Sequence, residues 1–154
     1  MNVQRVAFIT FHACPLAAPG EGKSGGMNVY VRQLARALGD QGVQVDVFTR
    51  NHSAEIEQIQ SISPNVRVVH LPGGEPDAPL ENLFRYLPTF LEAVEEFQGK
   101  NRLTYQVVHS HYWLSGWVGR ALARRKMIPH VITFHTMGLI KMQSRAGEME
   151  PLAR

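Results

Sequence analysis

Hydrophobic residues along this chain fall into short runs separated by longer amphipathic stretches. The runs are rich in β-branched residues and predict five strands, at 6–11, 43–49, 66–71, 105–111 and 130–135. Several runs are apolar at successive positions, which is typical of strands covered by helices on both faces. The pattern therefore predicts a sheet buried between two layers of helices.

The amphipathic stretches predict three helices, at about 27–38, 80–97 and 113–127. In the first helix the side chains form an apolar stripe and a polar stripe. The apolar one is made of Met27, Val31, Leu34 and Leu38, and the polar one of Asn28, Arg32 and Arg36. The second helix contains Pro88, where a bend is expected. Strands and helices that alternate through short connections predict an α/β protein with a Rossmann-like, doubly wound parallel sheet.

Composition and charge narrow the functional classes. At 154 residues the chain has the length of one domain with a substantial core. Its net charge of +3 comes from scattered basic residues, which argues against a nucleic-acid partner. Cys14 is the single cysteine, so an internal disulfide is excluded. Because neither an apolar run of ~18 residues nor a signal-peptide pattern occurs, a cytoplasmic protein without a transmembrane segment is expected. The sequence leaves a homo-oligomer open.

The connection after the first strand is long and contains the glycine-rich stretch GEGKSGG, residues 20–26. It runs for about fourteen residues, where two to six are usual. Gly20 to Gly25 fits the dinucleotide fingerprint, but that fingerprint begins directly after a strand, and Gly20 lies well beyond Phe11. The second strand also ends on Arg50 instead of the acid that would hold a ribose. The context therefore argues against a bound dinucleotide.

Residues 22–24 read GKS and end like a Walker A phosphate loop, but Ala17 stands where that motif requires glycine. Lys23 is followed by poor helix formers, and no strand ends in the aspartate expected to hold magnesium. An ATPase is therefore disfavoured. Gly25 and Gly26 instead allow a ligand to lie against the start of the first helix, where free N–H groups favour an anion. A flexible loop with a glycine cap is the alternative.

Histidines collect where the predicted strands end: His12, His109, His111 and His135. His109 and His111 lie two residues apart and face the same side of the sheet. Because the carboxyl ends of parallel strands converge on one crevice, these side chains are expected to meet there. A metal centre on the four histidines is conceivable, but no Asp or Glu joins them at the strand ends. We expect no metal.

Two further residues near this edge have both a structural and a functional interpretation. Tyr112 follows His111 directly and suits the apolar face of a sugar ring, although packing in the core is the commoner fate of such a residue. Lys141 lies in the segment after His135 and is either a solvated lysine or a cation aimed at an anionic substrate group.

Four motifs occur in this order along the chain: SGGMNVYVRQLARAL, VDVFTR, VVHSHYWLSGW and TFHTMG-x-x-K. Together they closely resemble the N-terminal part of the family 4 retaining glycosyltransferases. The nearest branches are the sucrose synthase and sucrose-phosphate synthase group and the N-acetylglucosaminyl inositol-phosphate transferase of mycothiol synthesis. The resemblance implies the GT-B fold, in which two Rossmann-like domains face each other across a cleft. Residues 1–154 would form the N-terminal, acceptor-side domain, and the C-terminal donor-binding domain would be absent from this chain.

The resemblance also implies roles for individual residues. His135 would be the catalytic residue, next to the sugar being transferred. The donor phosphates would lie near Gly25 and Gly26. The acceptor would contact Asn28, Tyr112, Thr136, Lys141 and Arg154.

By this resemblance the full-length protein would be a hexosyltransferase. It would move a hexosyl group from a nucleotide-diphosphate sugar, expected to be a UDP-sugar, to a hydroxyl of a sugar or cyclitol, with no other cofactor. The missing domain of the same polypeptide would be its partner, so the fragment is expected to be inactive alone. Family members that use phosphorylated acceptors tend to carry a lysine between the third strand and the helix after it. This chain has none there, so the sequence leaves open whether the acceptor is phosphorylated. The alternative is a non-catalytic Rossmann-like module that binds a sugar phosphate or a nucleotide.

Overall fold

The computed structural model describes residues 3–17 and 25–135. The six strands are β1 Arg5–Ile9, β2 Gln44–Arg50, β3 Ile59–Ser63, β4 Val66–Leu71, β5 Val107–His111 and β6 His130–Thr133. The three α-helices are α1 Gly26–Asp40, α2 Leu87–Lys100 and α3 Trp113–Lys126, and a 3-10 helix, Leu80–Tyr86, precedes α2. No helix in the described part of the chain is long and apolar enough to cross a membrane.

The strands form one sheet in the order β3-β4-β2-β1-β5-β6. All neighbours pair in parallel except β3, which pairs antiparallel with β4. From β1 the chain moves outward through β2 to β4, and it then crosses to the other side of β1 to form β5. The direction of winding therefore reverses between β1 and β5, which makes their carboxyl ends the topological switch point where open α/β sheets bind ligands.

The predicted fold class is confirmed, with two local differences. The strand Ile59–Ser63 was not predicted, because its sequence IQSIS is half exposed and carries no apolar run. The helix expected at 80–97 is two elements, since Pro88 lies at the start of α2 and cannot donate the hydrogen bond that a continuous helix would need there. The proline thus starts a helix instead of bending one.

Helices cover both faces of the sheet. One face packs against α2 and α3 through a core that includes Ile9, Phe48, Phe90 and Leu122. The other face packs against α1 through Phe8, Val31, Ala35 and Val68. The helix α1 lies so close to β4 that a Cβ on Gly39 would stand 2.6 Å from a methyl group of Val66.

A buried carboxylate ties four segments together near the amino ends of the strands. Asp46 on β2 is 1% exposed and accepts hydrogen bonds from Arg5 on β1, Arg67 on β4 and the Tyr105 hydroxyl just before β5. The Asp46 oxygens lie 3.0 Å from Arg5 Nη1 and 2.6 Å from Tyr105 Oη. The bond to Asp46 raises the pKa of Arg67, and burial raises the pKa of Tyr105. This network lies at the end of the sheet opposite the switch point.

Candidate functional site

The switch point is lined by the residues that follow β1 and β5. After β1 the chain turns through residues 10–17, which include His12, and after β5 it enters α3 at once. The rings of His12 and Tyr112, one from each connection, lie 4.8 Å apart between centroids. The two strand ends therefore meet, as the sequence pattern predicted.

Three histidines form a continuous cluster on the α1 side of this edge. The rings of His109 and His111 lie 4.3 Å apart, which confirms that both face the same side of the sheet. His135, just beyond β6, stands next to them: its Nε2 lies 3.2 Å from Nδ1 of His111, within hydrogen-bond distance. The Nε2 of His109 is 2.9 Å from the Thr133 hydroxyl. We call His109, His111 and His135 the histidine cluster.

The histidine cluster is uncharged at neutral pH. Burial is the largest cause of the shift in each member, because an imidazolium loses hydration inside the protein. It lowers the pKa of His109 to about 4 and that of His111 to about 3, with the neighbouring histidines adding to both shifts. The pKa of His135 is also lowered by burial. A neutral imidazole donates a hydrogen bond at one nitrogen and accepts one at the other, so the cluster offers directional polar contacts without charge.

Helix α1 begins beside the histidine cluster. Tyr30, one turn into the helix and 45% exposed, directs its ring at His135 and His111 with centroids 5.2 and 6.0 Å apart. Gly26 lies four positions earlier and therefore on the same face of the helix. The first turn carries no acidic residue, and the N-cap Gly25 makes no side-chain cap. The N–H groups of this turn thus favour an anion one helical turn from His135.

The two glycines at the start of α1 border open space. A Cβ added to Gly25 or Gly26 would meet nothing within 4 Å among the described residues, and neither residue has a positive φ. Neither packing nor a positive φ therefore accounts for glycine here, and glycine is favoured at an N-cap. The open space at both residues would let a ligand lie against the backbone.

The connection between β1 and α1 is held by Cys14. Its carbonyl oxygen accepts a 2.8 Å hydrogen bond from Nδ2 of Asn28, and its Sγ lies 3.3 Å from Nε2 of His70 on β4. The other ring nitrogen of His70 contacts the carbonyl of Glu57 at 3.1 Å. Burial raises the pKa of the thiol, which favours its neutral form. These contacts fix where α1 begins.

Two residues at the same edge have a strained backbone. Tyr112 has φ 76° and ψ 164°, a region occupied almost only by glycine, and His135 has φ 61°. The Tyr112 conformation is maintained by backbone bonds in which its N–H donates to Thr133 and its carbonyl accepts from Gly116, each 2.9 Å long. Such strain costs about 1–3 kcal/mol per residue and collects at functional sites. Both strained residues were site candidates from the sequence.

The structure brings together Gly25, Gly26, Tyr112 and His135 at one edge of the sheet. Asn28, in the first turn of α1, is 4% exposed, and its amide nitrogen donates to the carbonyl of Cys14. The sequence pattern had placed it on a polar stripe, and the buried face of the helix includes it instead. Its predicted contact with an acceptor stays a prediction. The predicted site residues Thr136, Lys141 and Arg154, and residues 18–24 of the glycine-rich loop, lie outside the described residues.

The metal alternative finds no support in the geometry. Within residues 3–17 and 25–135, no group of three or more His, Cys, Asp or Glu side chains is arranged to hold a metal ion.

Sequence reasoning missed Tyr30 and Thr133 as parts of the site. Tyr30 is an exposed aromatic residue in the second turn of α1, outside the apolar stripe, and that position is a usable signal for a ligand-facing side chain. Thr133 pairs with His111 across β5 and β6, so its place in the site depends on strand register. Register between distant strands cannot be obtained from local sequence.

The profile of the glycosyl transferase 4-like domain family matches residues 25–154. The chain belongs to this family. The match begins at Gly25, the first of the two glycines at the start of α1, and includes β5 and β6 with the whole histidine cluster. The relationship predicted from the four sequence motifs is thereby confirmed.

Individual relatives agree with this assignment. The D-inositol 3-phosphate glycosyltransferase of Nocardiopsis dassonvillei is 42% identical over 155 residues, which cover 97% of this chain and 36% of that protein. The protein of the same name from Corynebacterium efficiens is 40% identical over 148 residues, which cover 96% of this chain and 35% of that protein. A solved structure of sucrose-phosphate synthase from Thermosynechococcus elongatus superimposes with a TM-score of 0.87 at 38% identity, over 94% of this chain and 36% of that one. The chain spans about a third of the length of these relatives.

Proposed function

We propose that this chain is the acceptor-side domain of a retaining hexosyltransferase that uses a nucleotide-diphosphate sugar. The observation that carries the proposal is the combination at the switch point of an uncapped helix start, bordered by two glycines, with a neutral histidine one turn away. The helix start with its two glycines suits a diphosphate, and the neutral histidine suits a sugar hydroxyl. The names of the relatives support the same class of reaction.

The chemistry asks for the groups that this edge provides. In a transfer with retention, negative charge grows on the departing diphosphate while positive charge develops on the sugar ring. Backbone N–H groups at Gly25 and Gly26 stabilise the former because they are fixed in place before the reaction. His135 and Tyr30 orient the sugar, one by a hydrogen bond and the other by its apolar ring. No pair of carboxylates of the glycosidase kind lies at this edge among the described residues, so a hydrolase is disfavoured.

The acceptor is proposed to be a sugar or cyclitol, on the strength of the relatives' names. D-inositol 3-phosphate is the first candidate, because proteins named for it match nearly the whole chain at about 40% identity. Lys141 and Arg154 are the proposed phosphate contacts. We propose that a second domain supplies most of the donor contacts in the whole protein, and that the start of α1 in this chain keeps a weak contact of its own with the diphosphate.

The test is NMR titration of the 15N-labelled chain, which detects weak binding. UDP-glucose, ADP-glucose, D-inositol 3-phosphate and unphosphorylated inositol are added separately. We expect a nucleotide sugar to shift the amide signals of Gly25 and Gly26, and an acceptor to shift those of Tyr112 and His135.

A matched pair of variants makes this test specific. Gly25→Ala and Gly99→Ala each add a methyl group that meets no described atom within 4 Å, but only Gly25 lies at the switch point. Gly25→Ala should weaken the response to the nucleotide sugar at least tenfold, and Gly99→Ala should leave it unchanged. Shifts confined to the opposite edge of the sheet would contradict the proposal. A response to a nucleotide without any response to acceptors would favour the non-catalytic binding module.

A further inference from the structure

The bond between His111 and His135 limits where the protons of these rings can be. Both rings are neutral at pH 7, so the 3.2 Å contact between His111 Nδ1 and His135 Nε2 needs one proton on that pair of atoms. Either His111 donates from Nδ1, or His135 donates from Nε2. The choice fixes the tautomer of both rings, because each neutral imidazole carries a single N–H.

The second nitrogen of His111 decides between these two arrangements. Nε2 of His111 is buried and has no hydrogen-bond partner among the described residues, and the whole residue is 0% exposed. If His135 donated, the His111 proton would sit on this Nε2 as a buried N–H without an acceptor. The nearby rings of Phe8 and His109 offer at most a weak N–H–π contact. An unpaired buried N–H is rarer than an unpaired buried acceptor, so the His111 proton belongs on Nδ1.

We infer that His111 is a positioning residue: it donates from Nδ1 to Nε2 of His135, which holds His135 as the Nδ1–H tautomer and turns that N–H toward the bound substrate. Free imidazole side chains in water favour the Nε2–H form, so the protein reverses the ordinary preference. His135 then offers a hydrogen-bond donor to a substrate oxygen and cannot take up a proton at that atom. The substrate side of this inference rests on the function proposed above.

The surroundings of His135 support a positioning role. His135 is exposed, so general packing does little to fix its ring. The ring is held between the His111 bond on one side and the edge of Tyr30, with centroids 5.2 Å apart, on the other. No other hydrogen bond of the ring is made to the described residues, which leaves Nδ1 available to a ligand.

The proton positions are measured directly by NMR. Long-range 1H–15N correlation of the 15N-histidine-labelled chain at pH 7 separates protonated from unprotonated ring nitrogens. We expect protonated Nδ1 and unprotonated Nε2 in both His111 and His135. An Nε2–H form of His135 in the unaltered protein overturns the inference, and this result requires no substitution.

Three variants then test the cause. The amide nitrogen of Asn occupies the place of a histidine Nδ1, so His111→Asn should keep the donor and keep His135 as Nδ1–H. His111→Phe removes the donor and should return His135 to a majority of Nε2–H. His109→Asn is the control, because the His109 ring bonds Thr133 and not His135, and it should leave the His135 tautomer unchanged. If His135 keeps its Nδ1–H form in His111→Phe, the inference is overturned. If His111→Phe does not fold, the test is His111→Asn, and loss of the Nδ1–H form of His135 in that variant overturns the inference.

Titration with UDP-glucose separates this inference from the proposed function. We expect the Nδ1 signal of His135 to shift on binding in the unaltered protein and in His111→Asn, and to shift at least fivefold less in His111→Phe. The expected tautomers without any response to UDP-glucose or to D-inositol 3-phosphate would support the positioning role and contradict the proposed function. A response with the opposite tautomer would support the function and overturn the positioning role.

Discussion

Acid should destabilise this protein mainly through His109 and His111. The pKa of each is near 6.5 in the unfolded chain and falls to about 4 and about 3 in the folded protein. Between those values the unfolded chain binds more protons, so the free energy of unfolding falls as the pH falls below 6.5. The slope approaches about 1.4 kcal/mol per pH unit for each histidine well below pH 6.5, and from pH 6.5 to pH 5 each histidine removes about 1.5 kcal/mol.

The assay is urea unfolding followed by circular dichroism at pH 7, 6 and 5. The unaltered protein should lose about 3–4 kcal/mol over this range from the two histidines together, a large part of the stability of a typical domain. In His111→Asn the loss should shrink by about 2 kcal/mol, since one site of proton uptake is gone. His52→Asn removes an exposed histidine outside the cluster and should keep the full loss. Equal pH dependence in His111→Asn and the unaltered protein would refute the reasoning.

Two further predictions concern packing and the buried carboxylate, and both are measured by urea unfolding at pH 7. Gly119→Ala should destabilise the protein by about 1–3 kcal/mol, because the new Cβ would lie 1.9 Å from the Ser110 hydroxyl. Gly99→Ala is the control and should cause no loss, because open space surrounds that position. Equal effects of the two substitutions would show that α3 can move away from β5. Tyr105→Phe removes the 2.6 Å bond to Asp46 and should cost about 1.5–3 kcal/mol, as expected for a hydrogen bond to a charged group. A cost below about 0.5 kcal/mol, the size of an ordinary surface substitution, would mean that Asp46 does not depend on this donor.

Local patterns were sufficient for the fold because the parallel strands are covered on both faces. The run at 66–71 was predicted at its observed bounds, since its valines and leucine are buried in the cores on both faces of the sheet. The edge strand Ile59–Ser63 was missed for the opposite reason: it is half exposed, and its pairing with β4 contains a register shift between Ser61 and Ser63. Its existence depends on a neighbour and not on its own pattern.

The site was predictable in its parts but not in its connections. Strand ends predicted that four histidines would gather: His12, His109, His111 and His135. The structure brings the last three together, and His12 packs against Tyr112. The hydrogen bond between His111 and His135 arises because β6 pairs with β5 in one register, which no local pattern encodes. The Asn28 side chain was misplaced because an amide is expected on a polar face, whereas here it satisfies the buried carbonyl of Cys14.

The network around Asp46 has a consequence for how this domain moves. The Asp46 carboxylate joins β1, β2, β4 and the segment just before β5. If one of these strands slipped by one residue, its side chain bonded to Asp46 would turn to the other face of the sheet. Amide protons near this end should therefore exchange with solvent only when the whole domain unfolds. The opposite end has no such common tie among the described residues, and its strained residues Tyr112 and His135 lie there. Local opening should begin at that end, so the ligand-facing edge can adjust its shape while the sheet beneath it stays closed.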